Sequence, residues 1–334
     1  MRSDFTDVFP EVPRRFHEAV LGALEAAGKT ERRRGVKKRA LALVAAAAIL
    51  GISAAAAYFG GWHEKVAQLF DASPAQQEQL SQEGAANYVG QSATSGGVTI
   101  TALQTLGDKN GLYVLFHIKA PEGVALSEED SAFGLDVDIE GERVSWNAQL
   151  LPDAEKPEGA ENEHYLELWI NNTRGADLLG KTITVRFSDL RDLSRGEGGS
   201  VVVPGTWELS WPLAYSSDTR RYDLDAAYTV SGCEVTVEKI ELTPLSMTLK
   251  LGGEGLERLV ERSDLNEAGG LCAVTVAMKD GPRFVEGPKN EFYADGVYTQ
   301  IVRFSRVYDV EDIAAVVLTF YHEPDGSAVT VPLP

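Results

Sequence analysis

The longest apolar stretch in the chain runs from Ala40 to Phe59, twenty residues that include no charge. At about 1.5 Å of rise per helical residue, this length matches the hydrocarbon core of a bilayer. Six lysines and arginines lie directly before it, between Arg32 and Arg39. Because cationic flanks stay on the cytoplasmic side, the pattern predicts one transmembrane helix over 40–59, with residues 1–39 cytoplasmic and the C-terminal bulk extracytoplasmic.

A cleaved signal peptide is the second interpretation of this stretch. Ala55, Ala56 and Ala57 resemble the small-residue site at which signal peptides are cut, and cleavage there would release a secreted protein. The basic region of a signal peptide is short, however, whereas 39 residues precede this apolar run. We therefore favour an uncleaved anchor in the cell membrane.

Within residues 1–39, apolar positions repeat at intervals of three and four after Pro13, which is the spacing of one helical face. The residues on this face are Phe16, Ala19, Val20, Ala23, Leu24 and Ala27. A helix of about fifteen residues is marginal alone in water, so its apolar face needs a partner. We predict that Phe16, Val20 and Leu24 bind a cytoplasmic protein; the membrane surface and a second copy of the helix are the alternatives.

Residues 60–96 are predicted to hold juxtamembrane helices and a linker. A short interfacial helix is expected from Trp62 to Phe70. The sequence SPAQ at 73–76 has the form of a capping box with proline at the first helical position, and it predicts a second helix that ends near Gln82. Residues 83–96 are rich in Gly, Ala, Ser and Asn, which predicts a connector.

The hydrophobic period changes from 3.6 to 2 at Gly97, which indicates β-strands. After a turn at 107–111, apolar residues alternate with outward positions, among them His117, which we expect to be solvated; the pattern predicts a hairpin. The inward residues of its second strand are Leu112, Val114, Phe116 and Ile118. Six or seven such strands predict an antiparallel β-sandwich over 97–215.

A second β-sandwich is predicted over 226–334, after a polar bridge from Ser216 to Asp225. A helical insertion, Leu256 to Arg262, interrupts its strands. Residues 234–240 echo 97–103 at an offset of 137, which points to a tandem repeat. The predicted fold class is therefore mainly β: a short cytoplasmic helix, one transmembrane helix and two tandem antiparallel sandwiches.

Charge divides at the predicted membrane span. Residues 1–39 hold ten of the 31 Lys and Arg and six of the 50 Asp and Glu, which leaves 21 cations and 44 anions, a net charge of −23, after residue 59. Such an acidic exterior repels nucleic acid and is chiefly a solubility device. Cys233 and Cys272 fall on core-facing strand positions outside the membrane, where a disulfide and two buried thiols both fit the pattern.

The stretch YVGQSATSGGVTIT at 88–101, followed by GLYVLF at 111–116, resembles a bacterial family designated domain of unknown function 4179. Its members typically show a VNQS entry and a GVT(I/V)T strand directly after one membrane span. They also have a short cytoplasmic head that opens on VP, matched here by Val12 and Pro13. Gly90 stands where the family usually has Asn. The resemblance implies a second immunoglobulin-like ectodomain and an anti-sigma-factor-like role.

The familiar zinc-binding head of anti-sigma factors needs a His-xxx-Cys-xx-Cys arrangement. Residues 1–39 contain one histidine, His17, and no cysteine. Capture of a sigma factor would therefore use the apolar face of the Phe16 to Leu24 helix.

Catalytic motifs are missing from the sequence. The five histidines have no paired spacing, and no nucleophile elbow, Walker loop or dinucleotide fingerprint occurs, so we expect neither enzymatic activity nor a cofactor. Asp136, Asp138 and Glu140 alternate along one strand face and are a weak candidate for a metal site. A straight strand spreads such ligands about 7 Å apart, which favours a solvated face instead.

The sequence thus predicts a single-pass membrane regulator. Its cytoplasmic helix binds a sigma factor or another cytoplasmic protein, while the two sandwiches outside sense an unidentified ligand or act as a scaffold. The alternative is a cell-surface binding or structural module that one helix anchors to the bilayer.

Overall fold

Antiparallel β-sheets make up most of the described chain, and the helices are few and short, as the alternating pattern predicts. The computed structural model describes residues 62–157, 160–172, 178–195, 199–215, 219–262, 270–281, 283–285, 287, 289–321 and 328–334. The predicted cytoplasmic helix, with Phe16, Val20 and Leu24, and the predicted span over 40–59 lie outside these residues. Within them, no helix combines the length and the apolar character that crossing a membrane requires.

The first β unit contains eight strands in two sheets. They are β1 (Ala86–Ser95), β2 (Val98–Asp108), β3 (Gly111–Lys119), β4 (Ser131–Ile139), β5 (Ser145–Leu150), β6 (Glu163–Asn171), β7 (Thr182–Asp192) and β8 (Ser200–Pro212). One sheet has the order β1-β2-β3-β6-β5 and the other the order β4-β7-β8. Two 3-10 turns, Asp153–Glu155 and Leu193–Arg195, lie between strands.

Aromatic side chains from both sheets meet in the core of this unit. Phe116 of β3 contacts Phe187 of β7 at 5.2 Å between ring centroids. Trp207 of β8 is fully buried, and its indole N–H donates to the carbonyl of Val98 at 2.8 Å. Phe133 of β4 packs on the same indole at 5.7 Å. The two sheets therefore enclose one shared hydrophobic core.

The second β unit repeats this arrangement. Its strands are β9 (Arg220–Val230), β10 (Cys233–Leu242), β11 (Ser246–Gly252), β12 (Cys272–Met278), β13 (Arg283–Val285), β14 (Lys289–Ala294), β15 (Val297–Arg303), β16 (Ile313–Phe320) and β17 (Ala328–Pro332). The sheet orders are β14-β15-β11-β10-β9 and β13-β12-β16-β17. A helix, α3 (Leu256–Arg262), occupies the predicted insertion, and a 3-10 turn covers Val310–Asp312. The five-stranded sheets match when β9, β10, β11, β15 and β14 are aligned with β1, β2, β3, β6 and β5. In the other sheet, β12, β16 and β17 correspond to β4, β7 and β8, and β13 is an additional edge strand.

The equivalent positions of the two units lie 135 residues apart, so the predicted offset of 137 is wrong. The register of β1 on β2 shifts between the pairs Tyr88–Gln104 and Gln91–Ala102. The register of β9 on β10 shifts in the same way between Asp223–Lys239 and Ala226–Val237, each residue 135 positions later. A two-residue slip keeps every side chain on its own face of a strand, so alternation alone could not detect the error.

The strands that the sequence pattern missed are all at sheet edges. Residues 86–95, predicted to be a connector, form β1, and β9 begins at Arg220 inside the predicted polar bridge. β13 and β14 also lie at sheet edges. Edge strands are half solvated and carry polar side chains: Ser92 and Thr94 of β1, for example, pair through hydroxyls with residues of β2. Their hydrophobic pattern is therefore weak.

In the described part of the chain two helices precede β1, and the second confirms the predicted capping box. α1 (Glu64–Leu69) has His63 as its N-cap, and α2 (Pro74–Gln82) has Ser73. The Ser73 hydroxyl accepts from the Gln76 N–H, and the Gln76 side chain accepts from the Ser73 N–H, which is the predicted capping box.

Substitution of Gly90 tests whether the left-handed backbone of the β1 bulge affects stability. Its φ is +65°, and the equivalent Asp225 has φ +45°. Since a β-carbon disfavours this left-handed region, we expect Gly90→Ala to lower the free energy of unfolding by about 1 kcal/mol. Gly90→Asn should cost less because Asn tolerates this region. Urea denaturation measures both; equal stability of Gly90→Ala and the wild type would contradict the account.

Candidate functional site

A third hydrophobic cluster lies outside the two β cores, where α1 and α2 pack onto both β units. We call this cluster the junction. Its buried members are Trp62, Val66, Phe70, Leu80, Ala85, Ala86, Leu106, Tyr113, Leu115, Leu151, Leu245 and Val307. The first six come from the helical segment and the start of β1, and the last two come from the second unit. The segment after the predicted span is thus part of the folded structure.

Strand β3 connects the junction to the first core because both of its faces are buried. Val114 and Phe116 point into the first core, whereas Tyr113 and Leu115 point into the junction. The apolar run from Leu112 to Phe116 is typical of a strand covered on both sides. This run is the signal in the sequence that could have revealed the junction.

Aromatic contacts form the centre of the junction. Phe70, at the end of α1, lies 5.2 Å from the ring of Tyr113 and 5.6 Å from that of Trp169. Tyr113 and Trp169 contact each other at 4.8 Å. Arg303 of the second unit places its guanidinium 4.5 Å from the centre of the Trp169 ring, a cation–π contact between the units.

Hydrogen bonds and an ion pair connect α1 to α2 and the helical segment to the second β unit. The Trp62 indole N–H donates to the Gln77 carbonyl at 3.1 Å, which ties the start of α1 to α2. The Val307 N–H of the second unit donates to the Phe70 carbonyl at 2.9 Å. Arg306 pairs with Asp71 at 3.2 Å. The helical segment is therefore tied to the second unit by polar bonds as well as by apolar contact.

Beside the junction, a buried carboxylate joins the two β units; we call this contact the seam. Asp108 is 2% exposed. One oxygen accepts from the N–H groups of Asn110 and Gly111 at 2.8 and 3.2 Å, within its own turn. The other accepts from the hydroxyls of Thr243 and Ser246 in the second unit, each at 2.5 Å. All four acceptor positions are used, as burial of a charge requires.

Further bonds of the seam surround Asp108. The Asn110 amide donates to the Ser246 hydroxyl at 2.7 Å. Lys109 pairs with Glu241 at 2.5 Å, and Arg221 pairs with the other oxygen of Glu241 at 2.8 Å, so the pKa of Glu241 is lowered despite its partial burial. The turns at 108–111 and 243–246 are 135 residues apart, so equivalent turns of the two repeats contact each other.

Two histidines lie under the start of α1. The Nδ1 atom of His63 accepts from the Lys65 N–H at 3.2 Å, and its ring packs edge-on against Tyr165 at 5.3 Å. His117 lies 5.5 Å from Tyr165 and hydrogen-bonds Glu163 at 2.9 Å. His117, predicted to be solvated, is only 25% exposed, because the junction covers its face of β3.

An open groove of about 440 Å³ lies between α2 and the second β unit. Gln76 and Gln79 form one wall, and residues 307–312 form the other. Arg220 borders the groove and is paired with Glu311. Its volume lies in the range of small-ligand sites.

Two of the three candidate metal residues, Asp136 and Glu140, have other partners. Asp136 pairs with Arg186 at 3.3 Å, and Glu208 binds the same guanidinium at 2.8 Å. Thr182 hydrogen-bonds Glu140 and lowers the pKa of that carboxyl. Throughout the described ranges, no three His, Cys, Asp or Glu side chains converge to form a possible metal site.

The two cysteines are buried free thiols. Burial raises the pKa of Cys272 to about 12, which makes this thiol unreactive. Of the two open alternatives, the structure thus has the pair of core thiols.

Comparison with known proteins supports the fold class first. The crystal structure of a conserved domain protein from Bacillus anthracis matches this chain with a TM-score of 0.51 and 11% sequence identity. The match covers 76% of this chain and 94% of that one. At this identity, the likeness shows the fold alone.

The family comparison is more specific. The model of DUF4179, a domain of unknown function, matches residues 31–120 and confirms the predicted resemblance. This segment includes α1, α2 and β1 to β3, and with them most of the junction. Gly90, which lies within this segment, has a left-handed φ that both Gly and Asn tolerate. No curated protein matches the sequence.

Asp108 provides the direct test of the seam. Asp108→Ala leaves two buried hydroxyls and two N–H groups without their acceptor, so we expect it to lower the free energy of unfolding by about 3 kcal/mol or more. Asp138→Ala, on the solvated face of β4, is the matched control and should change stability by about 0.5 kcal/mol or less. Chemical denaturation measures both; similar stability of the two variants would refute the structural role of Asp108.

Proposed function

We propose that this protein is a non-catalytic, single-pass membrane regulator that resembles anti-sigma factors. Residues 1–39 lie in the cytoplasm, and the helix that carries Phe16, Val20 and Leu24 binds a sigma factor or another cytoplasmic protein. Residues 40–59 cross the bilayer. The two β units are tandem immunoglobulin-like sandwiches outside the membrane, and they sense or scaffold.

The observation that carries this proposal is the junction. Trp62, three residues after the predicted span, is 6% exposed and packs with both helices. Three residues reach at most about 11 Å, so little slack separates the span from the folded β units. A change in the arrangement of the β units would therefore act directly on the span. A surface module on a flexible tether would have no need of such a connection.

The alternative, a surface binding or structural module, is favoured by the groove between α2 and the second unit. In that case the groove binds an extracytoplasmic ligand, and residues 1–39 serve only as an anchor. The two functions differ in what the cytoplasmic helix does.

Substitution of the helix face separates the two functions. The full chain, with Phe16, Val20 and Leu24 replaced by Asp, is compared with the wild type by affinity capture from the native host. We expect the wild type to retain one cytosolic protein and the triple variant to lose it, because charge on an apolar face prevents its burial. The control, Glu18→Asp with Glu25→Asp, changes the opposite face and should keep the partner.

The regulator proposal fails if the wild-type chain captures no cytosolic protein, or if the triple variant captures the same protein as the control. In either case the helix face binds nothing, and the surface module becomes the better account.

A further inference from the structure

His63 fixes α1 through bonds that need its neutral ring. Its Nδ1 atom accepts from the Lys65 N–H at 3.2 Å, which makes it the N-cap of the helix. A protonated ring has no lone pair to accept this bond. α1 has only six residues, too few to be stable alone, so it depends on its cap and on its packing.

A second imidazole lies close to the first. The rings of His63 and His117 pack against the same phenol, that of Tyr165, at 5.3 and 5.5 Å. If both were charged, two cations would flank one half-buried ring. Burial is the largest influence on the pKa of each imidazole. Together with repulsion from His117, it lowers the pKa of His63 to about 4. It also lowers the pKa of His117.

The neighbouring charges do not restore the pKa of either histidine to its ordinary value. Glu64 attracts a proton to His63, and Lys65 opposes it. Glu163 attracts a proton to His117, but the same carboxylate already binds Lys119 at 2.5 Å. Lys65 is itself paired with Glu155 at 2.5 Å. The polar neighbour on β2 is Gln104, whose side-chain oxygen accepts from the backbone N–H of His63.

We propose that the contact of α1 with the first β unit is an acid-sensitive latch, closed at neutral pH and opened by protonation of His63 and His117. Opening breaks the N-cap, places two cations beside Tyr165 and releases the segment that follows the predicted span. The external signal would then be acidification. The signalling consequence rests on the proposed function, whereas the latch itself rests on the junction alone.

The direction of the pH dependence follows from linkage. The pKa of His63 is about 4 when α1 is docked and about 6.5 when it is free. Between these values the open state binds more protons, so the docked state loses stability as the pH falls from 6.5 towards 4. Above pH 6.5 the latch keeps its full stability.

Hydrogen exchange of the full chain tests the latch. Amide protection of α1, corrected for intrinsic exchange rates, is compared at about pH 7.5 and about pH 5, and we expect it to fall tenfold or more. α3, which has no histidine, is the internal control. His63→Asn keeps an N-cap residue but cannot be protonated, so its α1 should stay protected at both values.

The coupled histidine gives a second measurement. His117→Gln removes the repulsion on docked His63, so the pKa of docked His63 rises towards its value in the open state. The open state then binds fewer extra protons, and the opening midpoint should move to lower pH. Equal α1 protection at both pH values in the wild type, or the same loss in His63→Asn, would overturn the latch. An acid-opened α1 in a chain whose head captures no cytosolic protein would preserve the latch and refute the regulator.

Discussion

The structure depends on the burial of one sheet face by two short helices. α1 and α2 are too short to be stable alone, and they exist because Trp62, Val66, Phe70 and Leu80 find apolar partners on β3 and on the second unit. Phe70 touches the first unit by its ring and the second by its carbonyl. Loss of a buried aromatic side chain typically costs about 3–5 kcal/mol, a large share of a domain's net stability.

The seam explains why two repeats behave as one body. The described residues from Trp62 onwards belong to a single compact unit, although each repeat has its own core. Equivalent turns meet, and only the first has an acid, Asp108, to face the hydroxyls of Thr243 and Ser246. Separation of the repeats would break the hydrogen bonds of the Asp108 carboxylate to Thr243 and Ser246 and would lose the packing between the units, and both losses disfavour it. His63 and His117 lie outside the seam, where α1 packs on the first β unit.

The sequence predicts what depends on local pattern. The core-facing strands, the α2 capping box and α3 follow from periodicity and caps, and the family resemblance follows from residues 88–116. Edge strands such as β1 are not predicted because their polar sequences resemble those of loops. The junction and the seam are not predicted because they join residues far apart in the chain: Asp108 and Ser246 are separated by 138 residues. Only the unbroken apolar run of β3 hinted at a second buried face.

The central claim is that the junction makes the helices and both β units one cooperative body. Hydrogen exchange at increasing urea concentration measures it directly, by following buried amides of β6 in the first unit and of β11 in the second. The account predicts one shared midpoint in the wild type and two separate midpoints in Phe70→Asp, which forces a charge into the junction. Two separate midpoints already in the wild-type chain would contradict it.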